Sequence, residues 1–207
     1  MALDLQNIFI YHITDIDNLP SILKLGGLYS DAAIQNKNLP SAAIAYDHIK
    51  QRRLNEIRIS CCDNAFVGEF VPFYFCPRSP MLFVVNKGTT GRAMGCQESI
   101  LHLVSTVKYG LNLNKPWAIS DGNAGARFTS FGNLEMLDNL DWLAISTNDW
   151  AGNTHKKSAE FLVKDFFPWS SFISIGCYNR SIAANVNVLL RGHSHCPSIE
   201  VKSNWYY

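Results

Sequence analysis

Two side chains in this sequence combine a type and a setting that point to chemistry. Glu160 sits in Ser158-Ala159-Glu160-Phe161-Leu162-Val163, where strand alternation directs it to the same side as Leu162. An ionised carboxylate on a partly buried strand needs a partner, because stripping its water is costly. The local sequence leaves two readings open: a strand-end glutamate that reaches solvent, or a carboxylate held inside for a purpose. Arg53 is the second. On a helix starting at Ser41, a rotation of about 100° per residue puts Ala42, Ala45, Tyr46, Ile49 and Arg53 on one stripe. Arg53 then faces inward, with Arg52 at the margin and Lys50 on the outer side. An inward guanidinium calls for a fixed anion, which is either an internal carboxylate or a ligand phosphate.

Other residues carry weaker signals. His12 shares its alternation with Ile8 and Ile10, and Thr14 follows on the same face, so His12 reads as a core histidine or as one wall of a polar pocket. Tyr74, Phe75, Trp117 and Trp150 read first as core aromatics. Lys156 and Lys157 read as a solvated loop, though a basic loop next to an active carboxylate also suits a phosphate backbone. His193-Ser194-His195-Cys196 has ligand types for a metal, but neighbours one and two residues apart rarely close a tetrahedral site, and a loop is the plainer reading. No metal is expected. Phosphate-loop, Rossmann, nucleophile-elbow and zinc-protease signatures are all missing from the sequence.

The chain has 207 residues, 47% hydrophobic and 17% charged, with a formal net charge of +1. That is a globular composition able to bury a core, and it argues against a bulk phosphate binder while permitting a local basic patch. The cysteines (Cys61, Cys62, Cys76, Cys96, Cys177, Cys196) form no C-x-x-C pair, the amino terminus lacks a secretory pattern, and no apolar run approaches the roughly 20 residues of a membrane span. A cytoplasmic protein, reduced and off the membrane, is the expectation.

The elements that must position these groups follow from periodicity. Ile8 to Thr14 reads as a strand, followed by N-cap chemistry at Asp15 to Asn18 and a short helix closed by Gly26-Gly27. The helix from Pro40-Ser41 runs to about Ile57. Phe70 to Phe75 reads as an edge strand or a strand entry, because Pro72 lacks an N–H. Further strands are predicted at Ile100 to Ser105, Trp117 to Ser120, Ala159 to Val163, Phe172 to Tyr178 and Ser198 to Lys202. Helices are predicted at Phe128 to Leu140 and Ser181 to Leu190. Asp121 to Gly125 and Asn148 to Lys157 read as loops, the second leading into Glu160. The mixed order predicts an α+β fold, and nothing marks a boundary within 1–207, so one domain is expected.

Taken together, Tyr11-His12-Ile13-Thr14-Asp15-Ile16-Asp17-Asn18-Leu19, Ile49-Lys50-Gln51-Arg52-Arg53, the block Val71 to Leu82, Ala159 to Val163 and the terminal Trp205-Tyr206-Tyr207 resemble the DarT family, bacterial toxins that ADP-ribosylate DNA. The block from Pro72 to Leu82 is the most specific part. The resemblance implies an ADP-ribosyltransferase-like split β-sheet with flanking helices and NAD as co-substrate in its cleft. It implies catalytic roles for Glu160 and Arg53, with Glu160 binding the nicotinamide-ribose hydroxyl and stabilising the cation that develops as nicotinamide leaves. Arg53 either polarises the acceptor base or accepts its proton, on a helical NAD-binding element from about Ile34 to Asn55. His12, Ile13, Thr14, Tyr29, Tyr74 and Met81 match positions around NAD.

The implied acceptor is a base in single-stranded DNA, most often thymine. Asn123, in place of a histidine that some members carry, Trp150 and Lys156 would meet the DNA. The implied partner is a DarG-like macrodomain antitoxin, and the chain is expected to act as a monomer. Two rivals keep the same fold: an enzyme directed at guanine or RNA, and an inactive nucleotide- or antitoxin-binding module. The presence of both Arg53 and Glu160 counts against the second.

Overall fold

The computed structural model describes residues 4–39, 47–88, 93–148 and 152–207. Its centre is an eight-stranded sheet. From one edge the strands run Ser198–Val201, Ser174–Cys177, Ile100–Thr106, Phe9–Asp15, Phe70–Tyr74, Glu160–Lys164, Trp117–Ser120 and Phe131–Gly132. The first two are parallel and every other neighbouring pair is antiparallel.

The sheet is split in the middle. Phe9–Asp15 pairs with Ile100–Thr106 along its whole length but meets Phe70–Tyr74 only where Tyr11 faces Tyr74. Beyond that point the two strands separate. Pro72 explains why the sequence tolerates this: it lies in a central strand, not the expected edge strand, but on the side where no ladder continues. Its carbonyl is 2.9 Å from His12 Nδ1, so a side chain takes the place of the neighbouring backbone. On its other side the strand pairs fully with Glu160–Lys164.

Both faces are covered. Phe161 and Val163 enter the main core with Ile10, Val71, Phe73, Leu103 and Phe172, while Leu162 packs on the opposite face with Ile59, Val67, Phe70, Ala118 and Ala124. A third cluster joins Ile13, Leu82, Val85, Ile100 and Tyr206. The strand carrying Glu160 is therefore buried on both sides.

Asp15 accepts a bond from the backbone N–H of Asp17 to start a short turn, helix Leu19–Leu25 follows, and Gly26 ends it at φ 76° in the left-handed region. Gly27 opens the strand Gly27–Tyr29, which pairs with Phe166–Pro168. A Cβ at Gly27 would lie 2.2 Å from the Phe167 carbonyl oxygen, so only glycine allows this hairpin-like contact.

Several expectations change. The Arg53 helix is described over Asp47–Asn55, preceded by a separate helix Asp31–Asn36, so the element from Ile34 to Asn55 is not one helix. Ser41, Ala42, Ala45 and Tyr46 lie outside the described residues. The helix expected over Phe128 to Leu140 is the short strand Phe131–Gly132 followed by helix Glu135–Asn139, because Phe131 and Gly132 pair with Ser120 and Ile119. Within Asn148 to Lys157, Thr154–Lys157 is a helical turn, and Lys157 is buried with Nζ 2.7 Å from the carbonyls of Ile145 and Thr147, not solvated. Helix Pro80–Asn86 was unassigned, although Ser79 caps it by accepting from Leu82 N–H and proline occupies its first position.

A buried histidine ties the carboxyl-terminal residues to the sheet. His102 Nε2 lies 2.9 Å from the Pro77 carbonyl and Nδ1 lies 3.2 Å from Tyr206 Oη, while Tyr206 Oη donates to the Ile100 carbonyl. Burial pushes the His102 pKa down to about 4 against the opposing pull of the Pro77 carbonyl. The folded chain thus holds this ring neutral, whereas the unfolded chain protonates it below its ordinary 6.5. The stability from this group is complete above that value and is lost as pH falls toward about 4. The expected outcome is an unfolding midpoint that drops across this window, with a shallower drop in His102→Gln, measured by thermal melts at stepped pH.

Candidate functional site

Arg53 and Glu160 meet at the split. Arg53 Nη1 lies 3.3 and 3.1 Å from the two Glu160 carboxylate oxygens, and Nη2 lies 3.1 Å from Oε2. The Glu160 side chain is 1% exposed and that of Arg53 12%. Glu160 Oε1 also accepts the Ala124 N–H at 2.9 Å. Glu160 opens its strand opposite Ser120, whose Oγ accepts the Glu160 N–H and donates to the Gly122 carbonyl. The loop 121–125 is therefore folded against the residue it serves, with its backbone donor aimed at the carboxylate. Burial works against the Arg53 cation, but Glu160 above all, then Tyr74 and Asp31, outweigh it and raise its pKa above the ordinary arginine value. Arg53 is a fixed cation.

These two residues line a cavity of about 220 Å³. His12, Ile13, Thr14, Tyr29, Tyr74, Met81 and Asn123, all singled out in the sequence, line the same cavity. His12 is held neutral by burial, with Arg53 adding to the effect. Since the Pro72 carbonyl can only accept, the proton sits on Nδ1 and Nε2 is left as an acceptor. Tyr74 is kept a phenol by burial and by the adjacent Glu160. Thr14 Oγ1 accepts from the Asn18 amide. Tyr29 packs at 4.6 Å on Phe166, on the wall that Gly27 makes room for.

The remaining sequence candidates fall elsewhere. Lys156 does not line the cavity, and its ammonium pairs with Asp141 at 2.7 Å. Trp150 lies outside the described residues. The reading that placed Lys50 on the outer side is corrected: Lys50 lines the cavity and pairs with Asp31 at 3.0 Å. The apolar stripe of the helix misled because Ile49 and Arg53 border a cavity instead of a packed core, and Lys50, three positions before Arg53, shares that face. Asp31 also lines the cavity and was not singled out, while Asn18 was read only as a helix-cap residue and Ile34 only as the start of the Arg53 element, since their types and local pattern match ordinary surface or helix residues. His195, for its part, bonds the Phe172 carbonyl at 2.7 Å, and among the described residues no His, Cys, Asp or Glu cluster could hold a metal.

The arrangement offers an apolar, aromatic and thioether-lined slot beside a carboxylate oriented by three N–H groups. Such a carboxylate can hold a sugar hydroxyl and stabilise positive charge growing next to it. The slot suits a flat heteroaromatic ring.

Comparison with known proteins agrees with this chemistry. The family described as DarT, ssDNA thymidine ADP-ribosyltransferase, matches residues 11–207. A DNA ADP-ribosyl transferase of Thermus aquaticus is 39% identical over 203 residues, covering 96% of this chain and 88% of that protein. The structure of Thermus sp. 2.9 DarT in complex with ADP-ribosylated ssDNA superposes with a TM-score of 0.88 at 37% identity, covering 97% of this chain and 96% of that one. The same protein in complex with NAD+ gives a TM-score of 0.86 at 33% identity over the full length of both. A Thermosipho africanus protein, a DNA ADP-ribosyl transferase fused to a DNA ADP-ribosyl glycohydrolase, is 28% identical over 86% of this chain and 44% of its own length.

The buried pair carries a stability consequence. Glu160→Gln leaves the Arg53 cation without its counter-charge, and the expected cost is about 3 kcal/mol of unfolding free energy. Replacing both residues with Arg53→Met and Glu160→Gln should recover part of that loss. A denaturant-based double-mutant cycle, with Arg53→Met as the other single variant, checks this; a double-variant cost equal to the sum of the two single costs would show the pair to be energetically idle.

Proposed function

The chain belongs to the DarT family of ssDNA thymidine ADP-ribosyltransferases, and from that premise we propose how its own residues carry the reaction. It is an NAD-dependent DNA ADP-ribosyltransferase, with NAD as co-substrate and a thymine base in single-stranded DNA as acceptor. The observation that carries the assignment of roles is the bidentate contact of Arg53 with Glu160 in the wall of the cavity.

The aromatic and thioether side chains that line the cavity beside Glu160 mark this part of it as the nicotinamide end of the NAD site. His12, Tyr29, Tyr74 and Met81 would enclose the nicotinamide, and the Ile13 and Thr14 backbone at the split would border its amide. Glu160 would hold a hydroxyl of the attached ribose. As the bond from the ribose carbon to nicotinamide breaks, its electron pair leaves with nicotinamide and the sugar becomes cationic. The carboxylate stabilises that charge.

The thymine ring nitrogen then forms the new bond and must lose its proton. Arg53 is held firmly protonated, which supports its role as the group that polarises a base carbonyl and not as the proton acceptor. Between the two, the carboxylate is the group able to take the proton. Asn123 stands at the cavity with its Oδ1 already accepting from Gly125 N–H, which leaves its amide N–H groups to read the base edge.

Residues 1–207 are read as one transferase unit, acting as a monomer in the cytoplasm. The fused Thermosipho relative supports a DarG-type macrodomain partner that removes the mark. Unremoved, ADP-ribose on a template base would block replication, which makes the protein a toxin.

Purified protein incubated with NAD and a thymine-containing single-stranded oligonucleotide should add the mass of one ADP-ribose and release nicotinamide. Glu160→Ala should lower the rate by at least about 100-fold. Arg53→Lys, which keeps the charge but loses the fork, should not restore wild-type turnover. An oligonucleotide of unchanged mass, beside a working control transferase, would refute the assignment.

A further inference from the structure

Phe128 is 94% exposed, the most exposed large apolar side chain among the described residues. A lone exposed apolar residue is ordinary. This one differs in what holds it. It lies in the loop 121–130, between paired strands Trp117–Ser120 and Phe131–Gly132. The loop is closed by bonds from Asp121 N–H to the Ser130 carbonyl and from Ser130 N–H to Asp121 Oδ1, and is braced internally by the Asn123 carbonyl, which accepts from Ala126 N–H and Thr129 Oγ1. Its inner end is Ala124, bonded to Glu160. A short rigid segment thus links the reacting carboxylate to an aromatic ring standing in solvent.

The surroundings of Phe128 have a charge suited to phosphate. A groove of about 520 Å³ runs beside the loop, lined by Glu56, Arg58, Ser60, Arg127, Thr129 and Phe131 among others. Arg127, 75% exposed, reaches the Glu56 carboxylate only at 3.7 Å, and Arg52 Nε reaches the same carboxylate only at 4.0 Å. The Arg58 guanidinium lies over the Phe66 ring, 3.7 Å from its centre, and donates to the Asn64 carbonyl. Two guanidinium groups therefore share the Glu56 carboxylate, with Arg58 lining the same groove, and the long, exposed ion pairs are worth too little to prevent exchange for a phosphate. The groove is tied to the active site through the chain: Arg52, which reaches Glu56, is next to Arg53 on the same helix, and Arg127 follows Asn123 on the same loop.

We propose that Phe128, Arg127 and Arg58 form a second DNA subsite, in which a base neighbouring the modified one stacks on Phe128 and its phosphate lies against the two guanidinium groups. The inference rests on the DNA transferase reading above. Stacking on an aromatic ring tolerates any base, so this subsite supplies affinity and direction of the strand, while recognition of thymine stays in the cavity. Exposing the ring costs the free protein apolar hydration that a stacked base would relieve.

The test measures modification of a thymine-centred single-stranded octanucleotide as its concentration and the salt are varied. Phe128→Ala should raise the KM for the oligonucleotide about tenfold with kcat nearly unchanged, and Phe128→Trp should restore the KM. Arg127→Ala should flatten the dependence of log affinity on log salt by about 0.7. Val188→Ala, an exposed apolar change on a remote helix, serves as the control for surface effects. Wild-type KM and salt slope in the Phe128 and Arg127 variants, or a fall confined to kcat, would overturn the subsite alone. A wild-type chain that modifies no oligonucleotide would overturn the transferase reading and the subsite with it.

Discussion

Everything at the centre of this molecule follows from one constraint: a carboxylate buried at the head of an interior strand must have its oxygens satisfied. Arg53 and the Ala124 N–H do this for Glu160 from two different directions. Removing water from a charge is so unfavourable that these donors have to be in place in the folded chain. The helix Asp47–Asn55 and the loop 121–125 therefore have little freedom in where they sit, and both are held to the same residue, to which the proposed mechanism assigns the cation-stabilising role. The geometry that stabilises the fold is also the geometry that aims the carboxylate.

The second requirement is space, and the sheet makes it by not pairing. Backbone groups left unpaired inside a sheet are costly, so an opening between two central strands needs substitutes. Pro72 removes one donor outright, and His12 meets the carbonyl that remains. The cost of the split is met locally, by a residue without an N–H and by a ring held neutral by its burial. The aromatic lining and the small cavity follow from that wedge. The arrangement also explains why Glu160–Lys164 is apolar on both faces: it is the first fully paired strand on that side of the opening, and both of its faces are packed.

Around this centre the outer elements divide their work. The strand Gly27–Tyr29 and helix Pro80–Asn86 bring Tyr29 and Met81 to the cavity from opposite parts of the chain. Lys157, a buried ammonium bonded to the carbonyls of Ile145 and Thr147, fastens the residues just before Glu160 to the end of helix Trp142–Ser146. Loop 121–130 faces both ways, with Ala124 inward on the carboxylate and Phe128 outward in solvent. In this region a charge is rarely idle: Lys50 meets Asp31 and Lys156 meets Asp141, each within 3.0 Å.

The strands whose side chains bury on a regular period were legible from residue types, because β-branched and aromatic runs have few other stable settings. Phe9–Asp15, Ile100–Thr106, Trp117–Ser120 and the Glu160 strand all lie within about a residue of where alternation puts them. Glu160 and Arg53 also stood out, since a charge amid apolar spacing signals a partner. The resemblance to a known family then joined them to His12, Tyr29, Tyr74 and Met81. Periodicity misled where an element borders a cavity or is redirected by a strand partner, as at Lys50, Pro72 and Phe128 to Leu140. Asp31 and Ala124 left no local mark, because a backbone N–H has no residue type and an acidic helix-start residue has many uses. The sequence by itself determined which side chains could not rest in a core alone. Tertiary structure decided which of them meet, because a hydrogen bond between residues 107 positions apart depends on how strands and helices pack, and no local pattern records that distance.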